Sequence, residues 1–253
     1  MRPDEYHVAV ISHRRPQRCA VRTLAVLEKG GITRDRVTVH VSDPADVPAY
    51  RAAAPGWHIA AGAPGLAGNR NHVSSIYPAG QPLVCCDDDI QGIDALMPGG
   101  RSLWPVADLH VLFISAFHQA ALAGATLWGT APSSNPFYMR PGTSRGLKFC
   151  IGVLHGVINR PAERLICHCK DDYERTLIRW EQDGTVIRLD DVVARHTYDG
   201  NAGGLAAIDG RTVGKAQSDV DYLMRRWPGV VRLNTTRKSP YPEILLRAPK
   251  ARI

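Results

Sequence analysis

Tight apolar runs and segments of helical period take turns along the first hundred residues. Tyr6 to Ser12 is a compact run that suits a buried strand, and Pro16 stands where a helix can begin, because the N–H that proline lacks has no partner in a first turn. From about Gln17 to Lys29 the apolar positions Val21, Leu24, Ala25 and Leu27 recur near helical period, and Gly30-Gly31 supplies a left-handed stop. Arg36 to Ser42 alternates Val37, Val39 and Val41 with polar residues, Asp46 to Ala54 reads as a short helix, Trp57 to Ala61 as a third strand and Leu66 to Tyr77 as another helix. Gln81 to Cys86 is a fourth apolar strand that runs straight into Asp87, Asp88 and Asp89. Such alternation predicts a parallel sheet covered on both faces, with ligands bound outside the carboxyl ends of the strands. Ser12 to Arg15, Ser42 to Asp43 and Asp87 to Asp89 each follow a strand and so share that edge.

Beyond Gly100 the pattern changes. A long helix over about Pro105 to Ala123 carries Leu109, Leu112, Phe113, Ala116 and Ala120 on one face, and a strand follows over Ala125 to Gly129. Asn135 to Arg145, rich in Pro, Gly and Ser, reads as a loop of the kind that closes over a site. Leu147 to Ile158 alternates as one strand or two, and Ile166 to Cys169 leads to a charged helix over Asp171 to Gln182 that stops at Asp183-Gly184. Thr185 to Tyr198 is mostly strand, Asn201 to Gly204 a glycine-rich turn, Val213 to Trp227 a helix and Glu243 to Arg247 a last short strand. The prediction is one α/β domain over residues 1–253: a mostly parallel central sheet flanked by helices, with a smaller mixed C-terminal half.

Composition narrows the class without naming a function. With 44% hydrophobic and 22% charged residues in 253, the chain is neither collagen-like nor disordered, and six cysteines are too few for a disulfide scaffold. The most apolar region, Val106 to Trp128, is broken by Asp108, His110, His118 and Gln119, so no membrane span is expected. The short run Val8 to Ile11 has no cleavage site after it, and a reducing cytoplasm is the expected compartment. Charge is uneven. Residues 211–253 hold ten basic and three acidic side chains, a surplus of +7 that equals the net charge of the whole chain. A basic segment on a neutral body suits a phosphate-rich partner, a nucleotide diphosphate or nucleic acid, although solubility alone would also account for it.

The sharpest chemical signal is Asp87-Asp88-Asp89. Three carboxylates at the end of a buried strand repel one another unless they are solvated or a cation neutralises them. Residues two apart on an extended chain point the same way, so Asp87 and Asp89 are expected to converge on one Mg²⁺ or Mn²⁺, with Asp88 turned toward a ribose or sugar hydroxyl. Lys170-Asp171-Asp172-Tyr173-Glu174 opens a helix, where carboxylates are favoured by capping and the helix dipole alone. Read functionally, Asp172 is the general base for an acceptor hydroxyl, with a pKa lowered by the helix start unless burial offsets it. Arg14, Arg15, Arg70, Arg237 and Lys238 are candidates for a diphosphate, each with a surface ion pair as its plainer role. Cys167-His168-Cys169 has zinc-ligand types without zinc-ligand spacing. With Cys85, Cys86 and Cys150, both cysteines read as small buried hydrophobes; His196 is a possible third metal ligand or a structural histidine. No dinucleotide fingerprint, Walker loop or serine elbow is present.

Taken together, the alternating first half, the strand ending in Asp-Asp-Asp and the later Asp-Asp-Tyr-Glu helix resemble glycosyltransferases of the GT-A fold. That resemblance implies a divalent metal held by Asp87 and Asp89, Asp172 as base, a nucleotide-sugar donor as co-substrate, a donor-binding half over 1–100 and an acceptor-binding half over 101–253. Within the fold the chain is similar to the TET-associated glycosyltransferases of phages. The segments that carry this likeness are Ile11-Ser12-His13-Arg14-Arg15-Pro16, Gly68-Asn69-Arg70-Asn71, Ala125-Thr126-Leu127-Trp128-Gly129, Asn135-Pro136-Phe137, Lys170-Asp171-Asp172-Tyr173-Glu174 and Asn201-Ala202-Gly203-Gly204. It implies donor contacts from Ser12, Arg14 and Arg70, and 5-hydroxymethylcytosine in DNA as acceptor, in the host cytoplasm.

The expected reaction moves a hexose from a nucleotide sugar, a uridine diphosphate sugar first, to a hydroxyl on the modified base. Arg237 or Lys238 would answer the growing diphosphate charge, Asp172 would serve as base if the anomeric centre inverts, and Trp128, Phe137 or Tyr138 would stack on a flipped base. Alternatives are a protein or small-molecule acceptor, a nucleotidyltransferase using the same aspartates, and a non-catalytic DNA-binding protein.

Overall fold

Apolar runs buried on both faces form the middle of the molecule. In the computed structural model, which describes residues 3–196, 212–236 and 238–249, the strands β1 (His7–Ser12), β2 (Val37–Val41) and β4 (Pro82–Asp87) expose no side chain fully. Hence β1 and β4 read as continuous apolar runs, while β2 alternates its valines with Thr38 and His40. With β3 (His58–Ala61), β7 (Leu127–Thr130), β8 (Thr143–Gly146), β9 (Leu154–Ile158) and β10 (Val186–Leu189) they make an eight-stranded sheet in the order β3-β2-β1-β4-β9-β7-β10-β8. β1 pairs in parallel with β2 and β4, β2 with β3 and β7 with β10, whereas β9 and β8 run antiparallel to their neighbours. The sheet is mostly parallel, as the alternation predicts.

Alternate residues of the central strands face different helices. Val8, Val10, Val84 and Cys86 pack with α1 (residues 16–29), α2 (Val47–Ala53) and α4 (Leu109–Leu122), through Leu24, Leu27, Tyr50 and Phe113. On the other face Ala9, Ile11 and Leu83 meet Val73 of α3 (Leu66–Ile76) and Trp180 of α5 (Asp171–Asp183). A smaller apolar cluster joins the outer side of α5 to α6 (Val213–Arg226) and to the hairpin of β12 (Val231–Leu233) and β13 (Ile244–Leu246) through Leu177, Ile178, Leu223 and Trp227. Among the described residues no helix is long and apolar enough to cross a membrane.

Four expectations change. The long helix starts at Leu109 rather than Pro105, because the Asp108 carboxylate accepts the Val111 N–H (2.9 Å) and caps it there. The residues before it form β6 (Leu103–Pro105), which joins β5 (Gly92–Leu96) and β11 (Val192–Arg195) in a separate three-stranded sheet. Of Leu147 to Ile158 only β9 is strand; the preceding stretch is drawn onto α5, where the Cys150 N–H donates to the Thr176 hydroxyl (3.2 Å). Asn135 to Arg145 is not all loop, since the edge strand β8 begins at Thr143. Asn201 to Gly204, with the end of the predicted Thr185 to Tyr198 strand, lies outside the described residues.

Two outcomes follow from this packing. A Cβ on Gly156 would fall 2.1 Å from the ring of the fully buried Trp128. Gly156→Ala is expected to cost about 1–3 kcal/mol of unfolding free energy, read by chemical denaturation. Burial, reinforced by neighbouring His58 at His7 and by His72 at His40, lowers both histidines from 6.5 to about 4. The unfolded chain takes up these protons below its ordinary value and the native chain resists them, so stability is complete above pH 6.5 and lost as pH falls toward 4. Thermal unfolding across that window should show the loss, and His40→Gln should make it shallower.

Candidate active site

The strand order reverses between β1 and β4: β2 and β3 follow β1 to one side, while β4 returns on the other. A crevice opens where the connections diverge. Here it is a cleft of about 190 Å³ lined by Ser12, His13 and Arg15 after β1, Ser42 after β2, Asn69 of α3 and Asp87, Asp88 and Asp89.

The aspartate turn is held from beneath. Within α1 a π-helical turn, Ala20–Leu24, presents Thr23, whose hydroxyl donates to the Asp87 carbonyl (2.7 Å) and accepts the Ile90 N–H (3.0 Å). The Asp87 N–H donates to the Val153 carbonyl (3.0 Å). Because β4 ends at Asp87, the next two residues lie in a turn, and strand alternation is not what relates Asp87 to Asp89. Their charges still meet: burial and then the Asp87 carboxylate raise Asp89, while His196, Arg15 and Arg18 act the other way. His196 is thus brought to the aspartates, just beyond the end of β11.

Asp88 has a different role from the one expected. It is buried, accepts a short hydrogen bond from the Ser12 hydroxyl, and pairs with Arg15 (3.3 Å), which also reaches Asp89 (3.7 Å). Burial pushes its carboxyl up to about 6, against the pull of Ser12 and Arg15. Ser12 lines the cleft, but its hydroxyl is shared between Asp88 and the Tyr50 hydroxyl. Arg14 is half exposed and turned toward Asp43 (3.6 Å) and Asp46 (3.9 Å), on a backbone with φ of 52°, in the left-handed region that a side chain disfavours.

Arg70 is a correction. Its guanidinium is not open to a ligand in the cleft: it is buried behind the aspartates, donating to Asp87 (3.1 Å) and the Gly152 carbonyl (3.2 Å) while its Nε pairs with Asp171 (2.8 Å). It therefore ties the end of β4 to the start of α5. Gly152 fits between, since a Cβ there would lie 3.0 Å from the Arg70 guanidinium and 3.6 Å from the Asp172 Cβ. Asp172, accepting the N–H of Tyr173 (2.9 Å), accordingly stands on the same cluster as the aspartate turn. Burial and then Asp171 raise its carboxyl, with Arg175 and Arg70 opposing, so burial does offset the helix start.

Glu174 and Asp219 are structural. Glu174 accepts the N–H groups of Ile166 (2.7 Å) and Cys167 (2.8 Å), and Asp219 of α6 accepts those of His168 (3.2 Å), Cys169 (2.6 Å) and Lys170 (3.1 Å). This explains why Ile166 to Cys169 forms no strand: its donors turn to carboxylates. Trp128 is also corrected, because it lies in the core against Phe113 and Phe117 and cannot stack on a base. Phe137 and Tyr138 are exposed, edge to face at 5.1 Å. Lys238 is exposed, and Arg237 lies outside the described residues. Sequence reasoning missed Tyr50 and His13; both ring nitrogens of His13 are buried at the cleft without a hydrogen-bond partner. The only signal for His13 was its place after a strand.

Removing Arg70 leaves Asp87 and Asp171 facing each other without their shared cation. Arg70→Met is expected to cost about 3–5 kcal/mol in chemical denaturation, and the cost should shrink in an Asp171→Asn background.

No family model matches the sequence, and no curated protein matches it. Solved structures do. A mannosyltransferase from Pyrobaculum calidifontis, in complex with GDP-Man and Mn²⁺, aligns with a TM-score of 0.57 at 15% identity over 88% of this chain and 64% of its own. S. aureus TarS 1–349 in complex with UDP-GlcNAc aligns with a TM-score of 0.55 at 12% identity over 87% of this chain and 66% of its own. This chain thus spans 64–66% of the length of those two. What they share with it is the fold: a mixed α/β chain whose large, mostly parallel sheet is flanked by helices in the GT-A manner.

Proposed function

We propose that the chain is a metal-dependent glycosyltransferase that moves a hexose from a nucleotide sugar, a uridine diphosphate sugar, to the hydroxyl of 5-hydroxymethylcytosine in DNA. The observation that carries this reading is the joining of two acidic motifs, about 85 residues apart in sequence, by the buried Arg70 behind the cleft. On this reading residues 1–100 hold the donor and residues 101–253 the acceptor.

The donor set fits a hard divalent cation. Asp87 and Asp89 are oxygen ligands, both partly exposed at the cleft, and their mutual repulsion is what a cation relieves. Among the described residues no group of three or more His, Cys, Asp and Glu side chains is arranged to hold a metal. Two carboxylates suit Mg²⁺ or Mn²⁺, which take remaining ligands from substrate phosphates and water. Held by Asp87 and Asp89, such an ion would supply positive charge against the departing diphosphate. Asp88 keeps Arg15 and Ser12 in place rather than touching the sugar, and His13 has two free ring positions for the nucleoside. Arg14 at the rim, with Arg237 and Lys238 of the basic segment, supplies cations for the diphosphate. In an inverting transfer Asp172 takes the acceptor proton, and its raised pKa makes it a better base than a solvated carboxylate.

Support for a nucleic-acid acceptor comes from the surface. Arg225, Arg226, Arg232, Lys238 and Arg247 are exposed, whereas Asp219 of the same segment is turned inward onto backbone N–H groups. Exposed Phe137 and Tyr138 offer the ring faces that a base drawn out of the duplex would stack upon.

Nucleosides digested from 5-hydroxymethylcytosine DNA, after incubation with Mn²⁺ or Mg²⁺ and a panel of nucleotide sugars, should gain the mass of a hexose. Asp89→Ala should abolish the gain. Asp172→Asn should lower kcat by a factor of about 100 or more and remove the acid limb of its pH profile. Metal-dependent hydrolysis of a donor without DNA labelling would move the acceptor to a protein or small molecule, and a nucleoside phosphate on the product would mark a nucleotidyltransferase.

A further inference from the structure

Two opposed demands meet at Asp87. Its carboxylate lines the donor cleft, where it is 31% exposed, yet its Oδ1 accepts from the buried guanidinium of Arg70 (3.1 Å). A cation behind a metal ligand helps in one way and hinders in another. It fixes the plane of the carboxylate, which a ligand needs, but its charge repels the ion that the carboxylate is to hold.

Arg70 is fixed from both sides. Its neighbours in α3 are tied to other elements: the Asn69 amide donates to the His40 carbonyl (2.9 Å) and the Ser42 hydroxyl (3.0 Å). Asn71 donates to the Leu165 carbonyl (2.9 Å) and accepts the Leu165 N–H (2.8 Å). The guanidinium itself is held by the Gly152 carbonyl (3.2 Å), on the nitrogen that meets Asp87, and by Asp171 (2.8 Å) at Nε. Such clamping suits a group that orients another.

Asp171 answers the repulsion. Its carboxylate is 5% exposed and does not line the cleft, so it is no ligand for an ion there. What it supplies is negative charge against Arg70, and against Arg175, which approaches it at 3.6 Å. Without that charge two buried guanidiniums would stand behind the metal ligand with less to balance them. Buried charges are poorly screened, and a unit charge within about 10 Å changes the affinity for a divalent ion by about tenfold or more.

We propose that Asp87, Arg70 and Asp171 form a relay in which Arg70 is a positioning residue for the divalent cation and Asp171 sets the affinity for that cation without touching it. The inference rests on Asp87 serving as a metal ligand, as in the proposed function. Mn²⁺ tests it on the full chain, alone and with UDP, by titration calorimetry and by the paramagnetic resonance signal of free Mn²⁺ at slightly alkaline pH. Asp171→Asn keeps the shape of the side chain, removes its charge and should weaken Mn²⁺ binding about tenfold or more. Asp172 lies on the same helical turn with its carboxylate on the Tyr173 N–H and not on Arg70, so Asp172→Asn reports charge acting through space alone. Its loss should be about threefold or less. Arg70→Lys keeps the charge but not the fork, and should weaken binding about 10- to 100-fold. If neither Asp171→Asn nor Arg70→Lys folds, crystals of the native chain with Mn²⁺ decide: Asp87 should ligate the ion with Arg70 still bonded to both carboxylates, and a guanidinium that releases Asp87 overturns the relay. Unchanged affinity in the folded variants, or equal losses in Asp171→Asn and Asp172→Asn, would make Arg70 and Asp171 a brace of the fold and overturn the proposal while leaving the metal site intact. No Mn²⁺ binding by the native chain, or binding indifferent to Asp89→Ala, would instead sink the metal-dependent reading and the relay with it.

Discussion

Arg70 is buried, and burial works against its charge, yet Asp171 and then Asp87 more than offset this and hold the guanidinium above its ordinary value. A guanidinium in that position stabilises only while both carboxylates remain, since an unpaired buried charge costs more than the pair returns. This single fork sets the distance between the end of β4 and the start of α5. Everything that could be chemistry is arranged around it: the aspartate turn on one side, Asp172 on the other, and Gly152 bare enough to let the two approach.

The elements that carry these groups are braced by side chains that do not line the cleft. Thr23 pins both ends of the aspartate turn, and it reaches them from a π-helical turn in an otherwise α-helical stretch. Five consecutive backbone N–H groups before α5 have no helix or strand to join, and Glu174 and Asp219 accept all of them. Such bracing has physical sense, because a base or metal ligand that wanders by an ångström loses much of its effect. Tyr50 does the same for the loop after β1, meeting the Ser12 hydroxyl and accepting the Arg15 N–H at 2.9 Å.

Acidic residues of similar appearance thus divide into different kinds. Asp87 and Asp89 face the cleft, Asp88 is spent inward on Ser12 and Arg15, Asp171 is spent on Arg70 and Arg175, and Glu174 is a backbone cap. Nothing in a run of Asp and Glu distinguishes these roles. The distinction is made by what lies within hydrogen-bond distance, and most of those partners come from residues tens of positions away.

Local pattern was enough for the parallel half of the sheet. Val8 to Ile11 and Leu83 to Cys86 announce themselves as unbroken apolar runs and Val37 to Val41 as an alternating one, and the polar residues that follow must gather at one edge. The stop at Gly184, in the left-handed conformation with φ of 74°, was legible for the same local reason. What the sequence could not reveal was set by pairing between distant segments. Leu103 to Pro105 became strand because β5 offered an edge, and Ile166 to Cys169 did not because carboxylates took its donors. Trp128 went to the core and Arg70 to the space behind the aspartates. Periodicity reports which side of an element is apolar; which charge meets which, and which is buried, depends on long-range packing, and only the tertiary structure decided that.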